Sequence, residues 1–128
     1  MSRNVIQSSQ APRAIGPYSQ AIAVTGGRTV YLSGQIPLDP ATGELVPGDV
    51  AAQAEQVMRN LGAVLEAAGL GFGHVARCGI FLTNLADFGK VNEVYGRYFP
   101  ADPPARATVQ VSALPRGALV EIDAIAVA

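Results

Sequence analysis

The residues of this chain best equipped for chemistry are an arginine and a carboxylate near its C-terminal end. Arg106 opens the stretch PPARATVQV, where two prolines give way to a β-strand pattern. Glu121 lies in the closing apolar segment, VEIDAIAV. Successive side chains of a strand point to opposite faces. Arg106, Thr108 and Gln110 therefore share one face, and Ala107, Val109 and Val111 the other. In the last strand Val120, Ile122, Ala124 and Ala126 make an apolar row suited to packing under helices. Opposite them lie Leu119, Glu121, Asp123, Ile125 and Val127. This pattern predicts Arg106 and Glu121 on the side of the sheet away from the helices. A buried charge is costly unless it is paired and hydrogen-bonded. Two readings then stand. One is a structural salt bridge across strands or subunits. The other is a ligand site, where the guanidinium holds an anion and the carboxylate handles water or a proton. Arginine's planar fork suits the second, because it matches a carboxylate bidentately.

Other constellations offer less. His74 is the single histidine and Cys78 the single cysteine, four residues apart in GFGHVARC. Along an extended strand that spacing is about 13 Å, too far for a dyad. His74 reads as an ordinary loop residue, and Cys78, in step with Ile80 and Leu82, as a packed core thiol. TGGR lacks the lysine and spacing of a phosphate loop. Asp123, two residues from Glu121, reads as a hydrogen-bond acceptor, and Tyr95 and Tyr98 as packing residues of a helix stripe.

The elements that must position these groups follow from periodicity and punctuation. Val50, Ala54, Val57, Met58, Leu61, Val64, Leu65 and Ala68 recur at three- and four-residue steps, predicting a helix over 49–68. Asp49 can cap its start and Gly69 close its end. A second helix is predicted over 87–99, with Phe88, Val91, Val94, Tyr95 and Tyr98 on its inner side; Pro100, Pro103 and Pro104 stop it. Strands are predicted at 75–83, 106–111 and 119–127, and two more short apolar segments meet at Gly26-Gly27, a pair suited to a hairpin turn. The order is strand, strand, helix, strand, helix, strand, strand. Two helices can cover only one face of such a sheet, so the other face is expected to be bare.

The 128 residues form a single expected domain, 1–128, long enough to bury a core. Net charge is −1, which invites neither acidic nor basic partners. Charged residues are 15% of the chain, against roughly 25% in an average soluble domain. That shortage agrees with a sheet face hidden by self-association. No stretch approaches the roughly 18 apolar residues of a membrane helix, and MSRNVIQSSQ lacks a signal-peptide core. A cytoplasmic oligomer is expected. One cysteine excludes an internal disulfide and a multi-cysteine zinc site.

The runs APRAIGPYSQAI, LSGQIPLDPATGEL, VNEVY and PPARATVQVSALPRGALVEIDAIAVA, in that order and spacing, resemble the Rid family of YjgF-like reactive-intermediate deaminases. The resemblance covers nearly the whole chain. It implies an α+β, chorismate-mutase-like fold, with a mixed sheet, two helices on one face, and a homotrimer with intersubunit clefts. It implies hydrolysis of 2-imino acids to 2-keto acids and ammonia, with no metal and no cofactor. By the same resemblance Arg106 is the substrate-carboxylate arginine, Glu121 the residue that positions water, and Tyr18 a cleft-lining tyrosine. Ser33, Gly34 and Asn92 match further substrate-binding positions near the cleft; Thr108 is read as substrate-binding too, but departs from the family, many members of which carry cysteine there. The chemistry fits so modest an inventory, because a protonated imine carbon accepts water with only positioning and proton management. Three further functions compete. RNA cleavage demands a basic footprint that is absent here. A keto-acid sensor would show the same arginine, yet an anion binder gains nothing from Glu121. A chaperone-like role would require a large apolar surface that survives oligomerisation.

Overall fold

The strongest periodicity in the chain becomes α1 (Val50–Ala67) in the computed structural model, which describes residues 2–128. Asp49 caps it, its carboxylate accepting a hydrogen bond from the Ala52 N–H at 3.0 Å. At the far end Gly69 turns at φ 77°, a left-handed conformation that favours glycine, and the Leu70 N–H reaches back to the Leu65 carbonyl. The buried stripe of α1 runs through Val50, Ala54, Val57, Met58, Leu61 and Leu65 as the spacing predicts, but Val64 of the predicted stripe is exposed. Helix α2 (Phe88–Tyr98) buries Val91, Val94 and Tyr95. Fully burying a side chain of this size contributes roughly 1.5–3 kcal/mol.

Six strands complete the fold: β1 (Ser2–Ile6), β2 (Ala21–Thr25), β3 (Thr29–Gln35), β4 (Val75–Leu82), β5 (Ala105–Gln110) and β6 (Val120–Val127). Four form one mixed sheet in the order β3-β6-β4-β5, with β4 and β5 parallel and the other pairs antiparallel. A parallel pair needs a crossover, and α2 supplies it. Both helices pack on the same face, against Leu32, Cys78, Ile80, Leu82, Val120, Ile122, Ala124 and Ala126. The architecture is α+β, and the opposite face has no helix over it. Tyr31, 77% exposed, stands on that bare face beside Ile125.

Three features differ from the sequence expectation. β1 was not predicted: its five residues are almost all exposed, so no apolar alternation marks it, and it pairs with β2 in a separate two-stranded sheet. Gly26 and Gly27 do turn with positive φ, but the strands on either side do not pair with each other. Immediately after the turn Arg28 and Ala128 exchange both backbone hydrogen bonds, which commits β3 to β6. The third difference concerns Arg106. Cys78, Ile80 and Leu82 of the helix-covered core stand in register with Arg106, Thr108 and Gln110 of β5. Arg106 is therefore on the helix side. Ala107 and Val109 face the bare side, both exposed.

Candidate active site

Arg106 occupies the gap between the edge strand β5 and α2. Its Nη1 donates to Asn92 Oδ1 at 2.6 Å. Three rings surround the guanidinium carbon: Tyr95 at 5.1 Å, Tyr18 at 5.4 Å and Phe88 at 5.6 Å. Phe88, Asn92 and Tyr95 are spaced i, i+4, i+7, so one side of α2 presents all three to the cation. Phe88 was expected on the inner side of α2; it is 38% exposed and walls the arginine instead. Tyr18 arrives from the N-terminal half of the chain. Ser19 is laid against the start of β5, its N–H donating to the Pro104 carbonyl and its hydroxyl to the Pro103 carbonyl. The preceding Pro17 sits on α2 at Gly96, where a Cβ would come within 3.4 Å of the ring. Gly16 closes the loop over the guanidinium: a Cβ there would lie 3.7 Å from Arg106 Nη2.

Among the described residues no carboxylate pairs with Arg106, and the ion pairs are Arg59 with Glu55 and Arg116 with Glu44. A salt bridge within the chain is thus excluded as the reason for the arginine. Burial pulls its pKa below the ordinary arginine value. Thr108, on the same face, has a buried hydroxyl oxygen with no hydrogen-bond partner.

Glu121 stands on the other face of the sheet, in register with Phe81 rather than with the core row. Arg106 and Glu121 were expected on one side, and a single chain instead separates them by the thickness of the sheet. Period-two alternation says which residues share a face, but not which face the helices cover. Ser33 and Gly34 do join Glu121. The β3–β6 register gains one residue between Leu32 and Gln35, and this bulge exposes Ser33 and Gly34. The Glu121 carboxylate lies across Gly34, so closely that a Cβ on residue 34 would fall 2.1 Å from Oε2. Asp123 is held differently, accepting the Gly79 N–H at 2.9 Å, as a structural acceptor.

The remaining candidates are placed as packing and turn residues. His74 Nδ1 accepts the Gly71 N–H at 3.1 Å and stabilises its own turn. Tyr98 donates its hydroxyl to Glu55. Cys78 is buried directly beside Arg106 in the ladder, and burial pushes its thiol up to about 11. The thiol is thus protonated throughout the neutral range. Native protein at pH 8 is expected to leave a disulfide reagent such as dithiobis-nitrobenzoate unreacted, and to release one equivalent of thiolate on unfolding in guanidinium. Prompt stoichiometric reaction of the folded protein would contradict the packing of this strand. Of the groups around Arg106, the family resemblance assigns Tyr18 and Asn92 to the cleft; Phe88 and Tyr95 read in the sequence only as packing residues, and Gly16, although it lies in the run APRAIGPYSQAI, has no role assigned there.

Residues 8–128 match the protein family described as Endoribonuclease L-PSP. The chain is 72% identical to Protein DfrA of Myxococcus xanthus, over 99% of this chain and 97% of the relative. It is 54% identical to mouse 2-iminobutanoate/2-iminopropanoate deaminase, over 98% and 91% respectively. Its fold superimposes with a TM-score of 0.92 on the crystal structure of YyfB from Yersinia pestis, a Rid-family protein of unknown function. That likeness is at 33% identity and spans all of both chains. Sequence and fold agree: this chain belongs to the Rid (YjgF-like) family.

Proposed function

We infer that this chain is a deaminase that hydrolyses 2-iminobutanoate, 2-iminopropanoate and their enamine tautomers to 2-keto acids and ammonia. The observation that carries this reading is Arg106, a half-buried guanidinium walled by rings, with no carboxylate partner and its Nη2 facing the loop at Gly16. A 2-imino acid brings the missing counter-ion as its own carboxylate. Asn92 holds the far edge of the fork, and Tyr18 offers a hydroxyl at the wall. Thr108's orphaned hydroxyl, which costs roughly 1–3 kcal/mol if left unpaired, finds its partner in substrate or in a bound water.

The reaction balances without a covalent enzyme intermediate. Water adds to the carbon of the protonated imine as Glu121 takes one of its protons, forming a carbinolamine. The amine receives a proton, the C–N bond breaks to release ammonia, and the hydroxyl loses its proton as the oxygen's electrons form the ketone. Glu121 thus serves as water-orienting base, with Ser33 and Gly34 at its side. Arg106 and Glu121 lie on opposite faces, so a complete site needs two chains. The Arg106 mouth of one subunit meets the Gly34–Glu121 face of the next in a cytoplasmic homotrimer. The exposed Tyr31 and Val109 on the bare face support such burial. The net charge of −1 fits a small-molecule site rather than an RNA footprint.

The test generates 2-iminobutanoate in situ with an amino-acid oxidase in the presence of semicarbazide. Wild-type protein is expected to suppress the semicarbazone by hydrolysing the imine first. Unfolding and reassembling Arg106→Ala subunits together with Glu121→Gln subunits should then restore up to about a quarter of wild-type activity, as random pairing across a cyclic interface dictates. Unaltered trapping by folded wild-type protein would leave the sensor reading standing. Absence of complementation would place both residues of a site in one chain.

A further inference from the structure

Tyr95 is the one ring of the three around Arg106 that is completely buried, at 0% exposure; Tyr18 and Phe88 both reach solvent. It is also the most tightly backed. Phe99, one turn further along the chain, lies 4.7 Å from it at 47°, and Phe72 meets Phe99 edge-on at 5.5 Å. Phe72 in turn packs against Tyr98, tilted at 53°, with ring centroids 5.0 Å apart. A chain of packed aromatics therefore runs from the loop before β4 to the guanidinium. The Tyr95 hydroxyl is buried beside the Cys78 thiol without a well-formed hydrogen bond.

An arginine side chain has several free torsions and loses about 2 kcal/mol of rotamer entropy when it is fixed. Among the described residues only one hydrogen bond, donated to Asn92, restrains Arg106. Something else must set the plane in which the fork meets its ligand. We infer that Tyr95 is that positioning residue: its rigid buried ring fixes the guanidinium and so sets the affinity for the substrate carboxylate. The inference rests on Arg106 being the carboxylate anchor. A cation held over a desolvated ring gains enough to change affinity by about tenfold.

The test compares Tyr95→Phe, Tyr95→Leu and Val91→Ala in the assembled protein. Val91 is a buried residue of α2 and serves as the control for general loosening of the helix packing. KM and kcat are measured with 2-iminobutanoate, and Kd with 2-oxobutanoate by calorimetry. Tyr95→Phe keeps the ring and should keep KM and Kd within about threefold of wild type. Tyr95→Leu should raise both about tenfold while kcat changes less than threefold. Val91→Ala should lower the melting temperature and leave both constants unchanged. If Tyr95→Leu does not fold, Tyr95→Met, unbranched and more adaptable in a packed site, takes its place. Leucine or methionine variants that behave like Val91→Ala would overturn the inference, as would equal losses in the phenylalanine variant. Because the calorimetry needs no turnover, the anchor is tested separately: if Arg106→Ala binds 2-oxobutanoate as wild type does, the anchor reading itself fails.

Discussion

Arg106→Ala is expected to lower kcat/KM for 2-iminobutanoate by about a thousandfold, with the melting temperature nearly unchanged. Truncating one partner of a desolvated, hydrogen-bonded charge pair costs about 2–5 kcal/mol, and each 1.4 kcal/mol is a factor of about ten. The unusual part is the expected stability. Removing a half-buried charge ordinarily weakens a fold because its partner is left unpaired, yet here the fold provides no anionic partner. What is lost is the hydrogen bond to Asn92, which is only partly buried so that water can replace it, and the contacts with the three rings. The desolvation of the guanidinium, seen in its lowered pKa, is relieved at the same time. Arg106→Lys should recover only part of the activity. An ammonium keeps the charge but cannot hold Asn92 on one edge and a carboxylate on another in a single plane. Steady-state rates from the semicarbazide competition, thermal melts and particle mass by light scattering together read this prediction. A fall in activity accompanied by an equal loss of assembly would remove the anchor role, since the arginine would then be structural.

What the sequence revealed and what it concealed follow from the range of the interactions involved. Helix α1 was legible to within a residue because its cap, its stripe and its glycine stop are all local. The same holds for β4, β5 and β6, whose ends moved by one residue or less from those predicted. The face of Arg106 was not legible, because it depends on register. Only the pairing of Cys78 with Arg106 shows that the polar row of β5 continues the core row of β4. The usual guide misleads here: Ala107 and Val109, the apolar row, point to the bare face, while the polar row points under α2. Such an inversion in an edge strand is what a site beside a helix and a sticky outer face would together require. β1 illustrates the opposite case, a strand held by backbone pairing with so little burial that no pattern could mark it.

Glu121→Gln and Gly34→Ala should give the same enzymological defect for two different physical reasons. Replacing Glu121 by its isosteric amide leaves packing intact and removes the proton acceptor. General-base catalysis contributes about a hundredfold to ten-thousandfold, and a loss in kcat within that range is expected, with KM little changed because the carboxylate anchor is elsewhere. Gly34→Ala reaches the same group through space. Its methyl would lie 2.1 Å from Glu121 Oε2 and 2.9 Å from Cδ, inside any permitted contact, so the carboxylate must swing away. Residue 34 is exposed and its φ is not in the left-handed region, so alanine is otherwise tolerated and the fold should survive. The decisive measurement is the double variant. Two substitutions that disable one group are non-additive, so Gly34→Ala with Glu121→Gln should be no slower than Glu121→Gln alone. Additive losses would mean that Gly34 lines the site in its own right, as a surface against which substrate packs. An unimpaired Gly34→Ala would show that the carboxylate can work from a second position, and the placement of the water would then have to be argued from Tyr18 instead.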